Sequence, residues 1–223
     1  MSVPSQVFGL VRQGARRAYA SGGVQTADLN QGGDLLFSQG LPERAELARL
    51  GKSWSVQLKE ANAFTALITV PSTLAELSLQ NGESVNGGAS YIIDRIWAKC
   101  VTSLAAANYL TLLAQLVAPG TALVADSANK TFTSLSGKSG YAGKAQVAVH
   151  SVLTGCLADK WQCIGPAGSL PTATTIAAML EAHVYGRYVV PPGGSFNVNA
   201  QEAVSGGTLI VGVDYHECVL DLG

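Results

Sequence analysis

Charged residues are the scarcest part of this sequence. Only 13% of its 223 residues are Asp, Glu, Lys or Arg, about half of the roughly 25% that is usual for globular proteins. Apolar and small uncharged side chains must therefore cover much of the exterior, and a free monomer has little electrostatic protection against association. A neutral surface rich in Ser, Thr, Asn and Gly is the alternative interpretation. We favour a surface that other chains cover.

Other absences exclude particular partners. The formal net charge is −1, so the overall balance indicates neither specific binding of nucleic acid nor an anionic membrane. Apolar runs such as residues 176–180 are far shorter than the roughly 20 residues that span a bilayer. The first six residues lack the cationic and apolar regions of a secretory signal. We therefore expect synthesis in a cytosol and no membrane partner.

The four cysteines, Cys100, Cys156, Cys163 and Cys218, form no Cys-x-x-Cys pair, so a zinc ribbon or a redox motif has no support. Cys156 and Cys163 are close enough in sequence to close a small loop. In a protein made in a reducing compartment, buried free thiols are nevertheless the expectation. Whether these two cysteines pair stays open.

No pattern of catalytic residues is present. His150, His183 and His216 are far apart and have no His-x-His or His-x-x-x-His spacing, so we interpret each as a structural or surface histidine. The sequence contains neither Gly-x-Ser-x-Gly nor a glycine-rich phosphate-binding motif. In a strand, His216 and Cys218 share a face, which is a weak pair and not a metal site. We expect no enzyme, no cofactor and no metal.

The first 50 residues differ from the rest of the chain. Arg12, Arg16 and Arg17 occur before the first acid, Asp28, and glycines interrupt the segment. We interpret residues 1–33 as an extended arm with little core of its own. Residues 41–50 have the apolar spacing of a short helix that Gly51 ends. The prediction is an arm and short helix over residues 1–52, followed by a β-domain over residues 53–223.

From Trp54 onward the apolar period changes to two, which indicates strands. Glycine- and proline-rich turns separate the segments, and their number is typical of an all-β sandwich, barrel or jelly roll, among which periodicity does not choose. The predicted strands cover residues 64–70, 75–80, 90–102, 109–117, 130–135, 144–153, 160–164, 174–190, 195–199 and 208–222.

The patterns of two of these predicted strands lead to more specific expectations. Residues 174–185 would also suit a helix, but a strand is favoured because Val184 and residues 188–190 continue it. Strict alternation in residues 90–102 would place Tyr91, Ile93 and Arg95 on one face, with Ile92, Asp94 and Ile96 on the other.

Several stretches resemble structural proteins encoded by tailed-phage genomes. They are Gly-Asp-Leu-Leu-Phe-Ser-Gln-Gly-Leu-Pro-Glu-Arg-Ala-Glu-Leu-Ala-Arg-Leu-Gly at 33–51, residues 79–83 and residues 88–94. The ending, residues 188–196 leading to residues 212–217, is similar to the last strands of a virion jelly roll. Together these stretches cover about half of the chain. The sequence thus resembles capsid cement, or decoration, proteins.

This resemblance implies an all-β protein, with a jelly-roll-like β-sandwich preceded by the extended arm and short helix. Members of the class are often trimers that lie on the outside of the capsid, at junctions between major capsid protein subunits, and reinforce the shell. The implied partners are further copies of this chain and the major capsid protein, and the implied location is the virion surface. The arm that would dock on the shell carries Arg12, Arg16, Arg17, Arg44 and Arg49.

Aromatic residues are the remaining candidates for anchors of an interface. Trp54, Trp97 and Trp161 are such candidates, although core packing is the favoured interpretation for each of them. Two alternative functions are consistent with the sequence. The first is that of a head-fibre, tail or receptor-binding virion protein that recognises host glycans, and the second is that of a non-viral carbohydrate-binding module. Exposed aromatic residues beside acids on one loop face would favour a glycan reader.

Overall fold

The computed structural model describes residues 47–48, 50–85, 88–101, 108–120, 130–135, 144–152, 155–170, 179–202 and 208–219. Apart from the two helical residues Leu47 and Ala48 and two short 3-10 helices, their regular structure is β. The eleven strands are β1 Ser53–Leu58, β2 Phe64–Thr65, β3 Leu74–Gln80, β4 Ser90–Cys100, β5 Asn108–Val117, β6 Lys130–Ser134, β7 Gln146–Val152, β8 Gln162–Leu170, β9 Met179–Val190, β10 Ser195–Glu202 and β11 Thr208–Cys218. No helix among the described residues is both long and apolar enough to cross a bilayer.

The strands form two antiparallel sheets. The first sheet has the order β6-β1-β11-β4-β9, with β2 also paired to β11, and the second has the order β7-β3-β10-β5-β8. Four pairs define the topology: β1 with β11, β3 with β10, β4 with β9 and β5 with β8. In these nested pairs the first strand pairs with the last, and each following pair lies inside the one before it in the sequence. The chain is therefore one long antiparallel hairpin that is rolled into two sheets, which is the jelly-roll topology. The predicted fold class is confirmed.

Three strands are additional to the rolled hairpin, and one of them is β2, the short strand that pairs with β11. β6 pairs with β1 at the edge of the first sheet, and β7 pairs with β3 at the edge of the second sheet. At the opposite side of the sandwich, β8 and β9 lie at the two edges, and the Tyr188 hydroxyl donates to Gln162 Oε1 at 2.8 Å between them. Both sides of the sandwich are therefore bordered by strands consecutive in the chain.

The core lies between the sheets and follows the two-residue period. Its main members in the first sheet are Trp54, Val56, Leu58, Tyr91, Ile93, Ile96, Ala98, Cys100, Leu209, Val211, Val213 and Tyr215. Those in the second sheet include Leu77, Leu79, Leu110, Leu112, Ala114, Phe196, Val198 and Ala200. The rings of Tyr188 and Phe196, whose centroids are 5.2 Å apart, join the two sheets. Burial of these side chains supplies most of the driving force for folding.

The predicted strand over residues 64–70 is wrong beyond its first two residues. Leu67 makes an isolated parallel bridge to Gln201, while Ile68 and Val70 are 60% and 46% exposed. Here the chain passes from β2, which pairs in the first sheet, to a bridge with β10 in the second. Alternation cannot continue across that change of sheet, because the two sheets bury opposite faces.

The strict alternation expected along β4 is also wrong, because the strand contains a bulge. Its register against β11 and β9 shifts at Asp94, between Ile93 and Arg95. Ile93 and Ile96 consequently both face the core, although strict alternation would place residues three positions apart on opposite faces of the strand. A single extra residue reverses the side-chain alternation beyond it. β9 is a strand over residues 179–190, as favoured over a helix.

The predicted end of the short helix at Gly51 is confirmed. Gly51 has a φ of 71°, and its N–H donates to the Ala48 carbonyl oxygen at 2.9 Å. The Lys52 N–H donates to the Leu47 carbonyl oxygen at 2.9 Å. This pair of bonds is the Schellman arrangement, which requires a residue that tolerates positive φ. The start of the helix, the arm and hence the division at residue 52 stay predictions, since residues 1–46 lie outside the described residues.

The start of the connection between β3 and β4 is held by the buried amide of Asn81. The Asn81 Nδ2 group donates to the carbonyl oxygens of Ala89 and Val190 at 2.8 and 2.9 Å, and its Oδ1 accepts from the Glu83 N–H. The Gly193 N–H donates to the Asn81 carbonyl oxygen at 2.7 Å. One fully buried residue thus joins the β3–β4 and β9–β10 connections.

Candidate functional site

The residues predicted to dock on a shell cannot be placed. Arg12, Arg16, Arg17, Arg44 and Arg49 all lie outside the described residues, so their role stays a prediction.

The three tryptophans, which were expected to pack in the core, differ in how deeply their side chains are buried. Trp54 is 4% exposed and belongs to the core between the sheets, whereas Trp97 is 9% exposed and lies over Gly212 on the outward face of the first sheet. Trp161 is half-buried; it packs against a smaller cluster that includes Val117 and Cys156, and its Nε1–H donates to the Ser72 carbonyl oxygen at 3.2 Å. The rings of Trp54 and Trp97 are therefore too buried to anchor an interface, whereas Trp161 is partly accessible.

The outward face of the first sheet carries the main group of charged side chains in the described structure. We call it the outer-face cluster, and it consists of Asp94, Arg95, Glu181, His183, Asp214 and His216. The register places Arg95 of β4 between Asp214 of β11 and His183 of β9. Side chains from three neighbouring strands therefore meet on one face.

Arg95 is the centre of this cluster. Its Nε donates to Asp214 Oδ2 at 2.7 Å, and its Nη1 donates to Glu181 Oε1 at 3.3 Å. Burial lowers the pKa of the Arg95 guanidinium, but the hydrogen bond and the charge of Asp214, with those of Glu181, outweigh burial and raise that pKa above its ordinary value. The guanidinium is therefore a permanent cation that orients two carboxylates.

The bulge in β4 at Asp94 brings together a second pair of charged side chains, Asp94 and His216. His216 Nδ1 lies 2.8 Å from Asp94 Oδ2, and both side chains are largely buried, with 11% and 16% exposure. The extra residue in β4 lets Asp94 and the adjacent Arg95 both contact outward-facing residues of β11. This pair and the Arg95 contacts fix the positions of the charged groups on this face.

β9 contains a larger irregularity beside the cluster. Between the pairs Ile93–Tyr188 and Arg95–His183, four residues of β9 oppose the single residue Asp94. Within this bulge Tyr185 has a φ of 48° and is 70% exposed. Its ring stacks on His183 with centroids 5.5 Å apart and an interplanar angle of 20°. The outer-face cluster is thus bordered by an exposed aromatic ring.

Two of the three histidines, although far apart in the sequence, lie on one face of the sandwich. His183 and His216 lie on the same face, because their strands both neighbour β4. In the part of the chain that the structure describes, no three His, Cys, Asp or Glu side chains form a group that would hold a metal ion. The geometry shows two separate His–carboxylate pairs, Asp94–His216 and Glu181–His183.

The four cysteines are free thiols. Cys100 and Cys156 are buried, as expected, and burial raises the pKa of the Cys156 thiol to about 11. Cys163 is exposed, which corrects the expectation of burial for that residue. It follows Trp161 and Gln162 at the start of an edge strand, β8.

Exposed apolar side chains collect at the two ends of the sandwich. We define the first end as the one where β1, β4 and β10 begin and β3, β5 and β11 end. Large apolar side chains exposed there are Leu50, Val85, Leu116, Leu135 and Val219, and those at the second end are Ile68, Val70, Tyr109 and Met179. These exposed side chains are therefore candidates for contacts with other molecules.

Comparisons with known proteins add little to this geometry. No family model matches the chain, and no curated protein matches it. Among solved structures, it is similar to a chain of the cryo-EM structure of Mud Crab Dicistrovirus, with 12% identity, a TM-score of 0.22, and coverage of 100% of this chain and 92% of that chain. A TM-score this low carries no argument, so the fold assignment depends on the strand pairing.

The sequence interpretation missed the outer-face cluster and Tyr185. One local signal was present: Gly186 lies inside the β9 strand, and glycine inside a strand often marks a bulge. The positions of Asp94, Arg95 and Asp214 had no such signal, because their proximity depends on strands 119 residues apart in the chain.

Proposed function

We propose that this chain is a virion structural protein, specifically a capsid cement protein. It would bind the outside of a tailed-phage shell through the major capsid protein, assemble as a homotrimer and stabilise the shell without catalysing a reaction. The jelly-roll sandwich suits this role, as virion jelly rolls are a frequent use of the architecture. The similarity of residues 33–51 and 188–196 to phage structural proteins also supports it.

The observation that carries the proposal is the placement of the exposed apolar side chains. At the first end, Val85 is 72% exposed and Leu116 43% exposed, and Gly193 lies between Val85 and Pro119. Three connections, β3–β4, β5–β6 and β9–β10, therefore present apolar groups together. The charged side chains at this end pair with one another, Lys52 with Glu217 and Lys144 with Glu83, so they leave little net charge to oppose association.

Burial of these apolar side chains would favour assembly. Burial of one large apolar side chain contributes about 1.5–3 kcal/mol when complete. Several such side chains at the first end would offset much of the loss of translational and rotational freedom on association. A trimer repeats each shell contact three times, which increases avidity without new kinds of contact.

The experiment that tests the proposal has two steps. The full chain is purified and its solution mass measured over a range of concentrations, and it is then mixed with shells of the major capsid protein from the same virus. We expect a mass of three chains and cryo-EM density on the outer surface of the shell. A species that stays at 23.0 kDa at high concentration and binds no shell would show that the proposal is wrong.

A further inference from the structure

The outward face of β9 presents an exposed aromatic ring beside fixed polar groups. Glu181 and His183 are two residues apart on this strand, and the ring of Tyr185 stacks on His183. We propose that Tyr185, Glu181 and Arg95 form a binding site for a pyranose sugar of a glycan chain. The inference is independent of the cement function, since it depends on the side of the sandwich and not on its ends.

The aromatic ring is held in place before any ligand arrives. Tyr185 has a φ of 48° and is the one non-glycine residue with positive φ in the described part of the chain. A bulky side chain in this region is uncommon, and such strained residues cluster at ligand sites. Stacking on His183 fixes the ring orientation, yet the residue stays 70% exposed. A ligand that packs on the ring has no ordering cost to overcome there.

The polar groups beside the ring are also fixed. The Glu181 carboxylate lies 3.3 Å from Arg95 Nη1 and 3.4 Å from His183 Nε2. Asp214 holds the other side of the guanidinium at 2.7 Å. Arg95 and Glu181 remain 32% and 31% exposed. Each can therefore accept or donate a further hydrogen bond at its exposed edge without leaving its partner.

A sugar matches this combination better than a charged ligand does. One face of a pyranose ring consists of C–H groups, which pack on an aromatic ring, and its edge carries hydroxyls that both donate and accept. A basic peptide would meet carboxylates that Arg95 and His216 already engage. Nucleic acid would bring phosphates to a cluster with three carboxylates and one guanidinium. A neutral, hydroxyl-rich ligand avoids both conflicts.

The test uses the full chain on an array of immobilised glycans, followed by calorimetric titration with the best saccharide. The main variant is Tyr185→Asn, because asparagine removes the ring and tolerates positive φ. The matched control is Tyr109→Asn, which removes a tyrosine of similar exposure, 63%, at the second end. We expect saccharide affinity to fall at least about tenfold in the first variant and to stay unchanged in the second, with both folded by circular dichroism.

Two further variants separate the roles of ring and acid. Tyr185→Phe keeps the ring and should retain binding, whereas Glu181→Gln should weaken it because a carboxylate accepts stronger hydrogen bonds than an amide. The proposal is overturned if the wild-type chain retains no glycan, or if Tyr185→Asn binds the same glycan equally well. Binding of a lysine- and arginine-rich peptide in place of any sugar would also overturn it.

Discussion

The indole ring of Trp97 on β4 lies directly over Gly212 on β11. A Cβ atom placed at Gly212 would be 2.3 Å from Trp97 Cζ2 and 2.4 Å from its Cε2. The register pairs the two residues across the strands, and Trp97 is only 9% exposed. The absence of a side chain at residue 212 thus allows a large ring to lie flat on the outward face of the first sheet.

We expect Gly212→Ala to destabilise the protein by about 1–3 kcal/mol, because the ring or the strand must shift to admit a methyl group. Urea unfolding of both proteins measures this change. The double variant Gly212→Ala with Trp97→Leu should lose less stability than the two single changes predict together. Equal stability of Gly212→Ala and the wild type would show that the ring is free to move.

The carboxylate of Glu217 predicts a pH dependence of stability. Burial raises the pKa of Glu217 above its ordinary value of 4.5, the charge of Lys52 at 3.5 Å counters part of that rise, and Glu83 adds to it. Between the unfolded and the raised folded pKa, the native state binds more protons than the unfolded state. Stability from this group is therefore complete below about pH 4.5 and is lost as the pH rises through the folded pKa.

The variant Glu217→Gln should remove the loss of stability that accompanies ionisation of Glu217 as the pH rises. We expect thermal unfolding to show that the variant gains stability over the wild type on going from pH 4 to pH 7. The control is Glu60→Gln, which changes an exposed glutamate in the connection between β1 and β2 and should leave the pH profile unaltered. Parallel profiles for wild type and Glu217→Gln would contradict the predicted linkage.

The first end of the sandwich should be the assembly surface. We expect the double variant Val85→Asp with Leu116→Asp to weaken self-association or shell binding at least tenfold. Each substitution places a charge in an apolar contact, which costs about 1.4 kcal/mol or more of binding free energy. Light scattering gives the solution mass. The matched control is Ile68→Asp with Val70→Asp at the second end, where exposures of 60% and 46% resemble the 72% and 43% of the first pair. Equal loss in both pairs would indicate nonspecific association.

The arm should dock the protein on the shell. Deletion of residues 1–33 is expected to leave a folded, soluble oligomer that no longer binds particles. Arg16→Glu with Arg17→Glu should weaken docking most at low salt, because screening reduces the contribution of exposed charges. Arg187→Glu, at an exposed position of β9, is the charge-reversal control. Full decoration by the truncated chain would rule out this role.

Much of the fold could be predicted from local pattern. The two-residue period located strands at or near β3 to β11, because successive side chains of a strand point alternately to its two faces. The helix end at Gly51 was also predictable, since it depends on a backbone conformation that few residues tolerate. Those features need only neighbouring residues.

The candidate site was not predictable in the same way. Arg95 contacts Asp214 because β4 lies beside β11, and Asp94 meets His216 because one extra residue interrupts the alternation of β4. Both contacts depend on long-range register. The expectation that residues 64–70 form one strand failed for a related reason: that segment changes sheets at Leu67.

The sequence by itself determined that this protein is all-β and has few charged residues, because period, turn residues and composition are local properties. The tertiary structure alone decided that the sandwich is a jelly roll, that its exposed apolar groups gather at the ends and that charged residues from three strands meet beside Tyr185. Strand pairing and register set these features, and pairing joins residues more than a hundred positions apart.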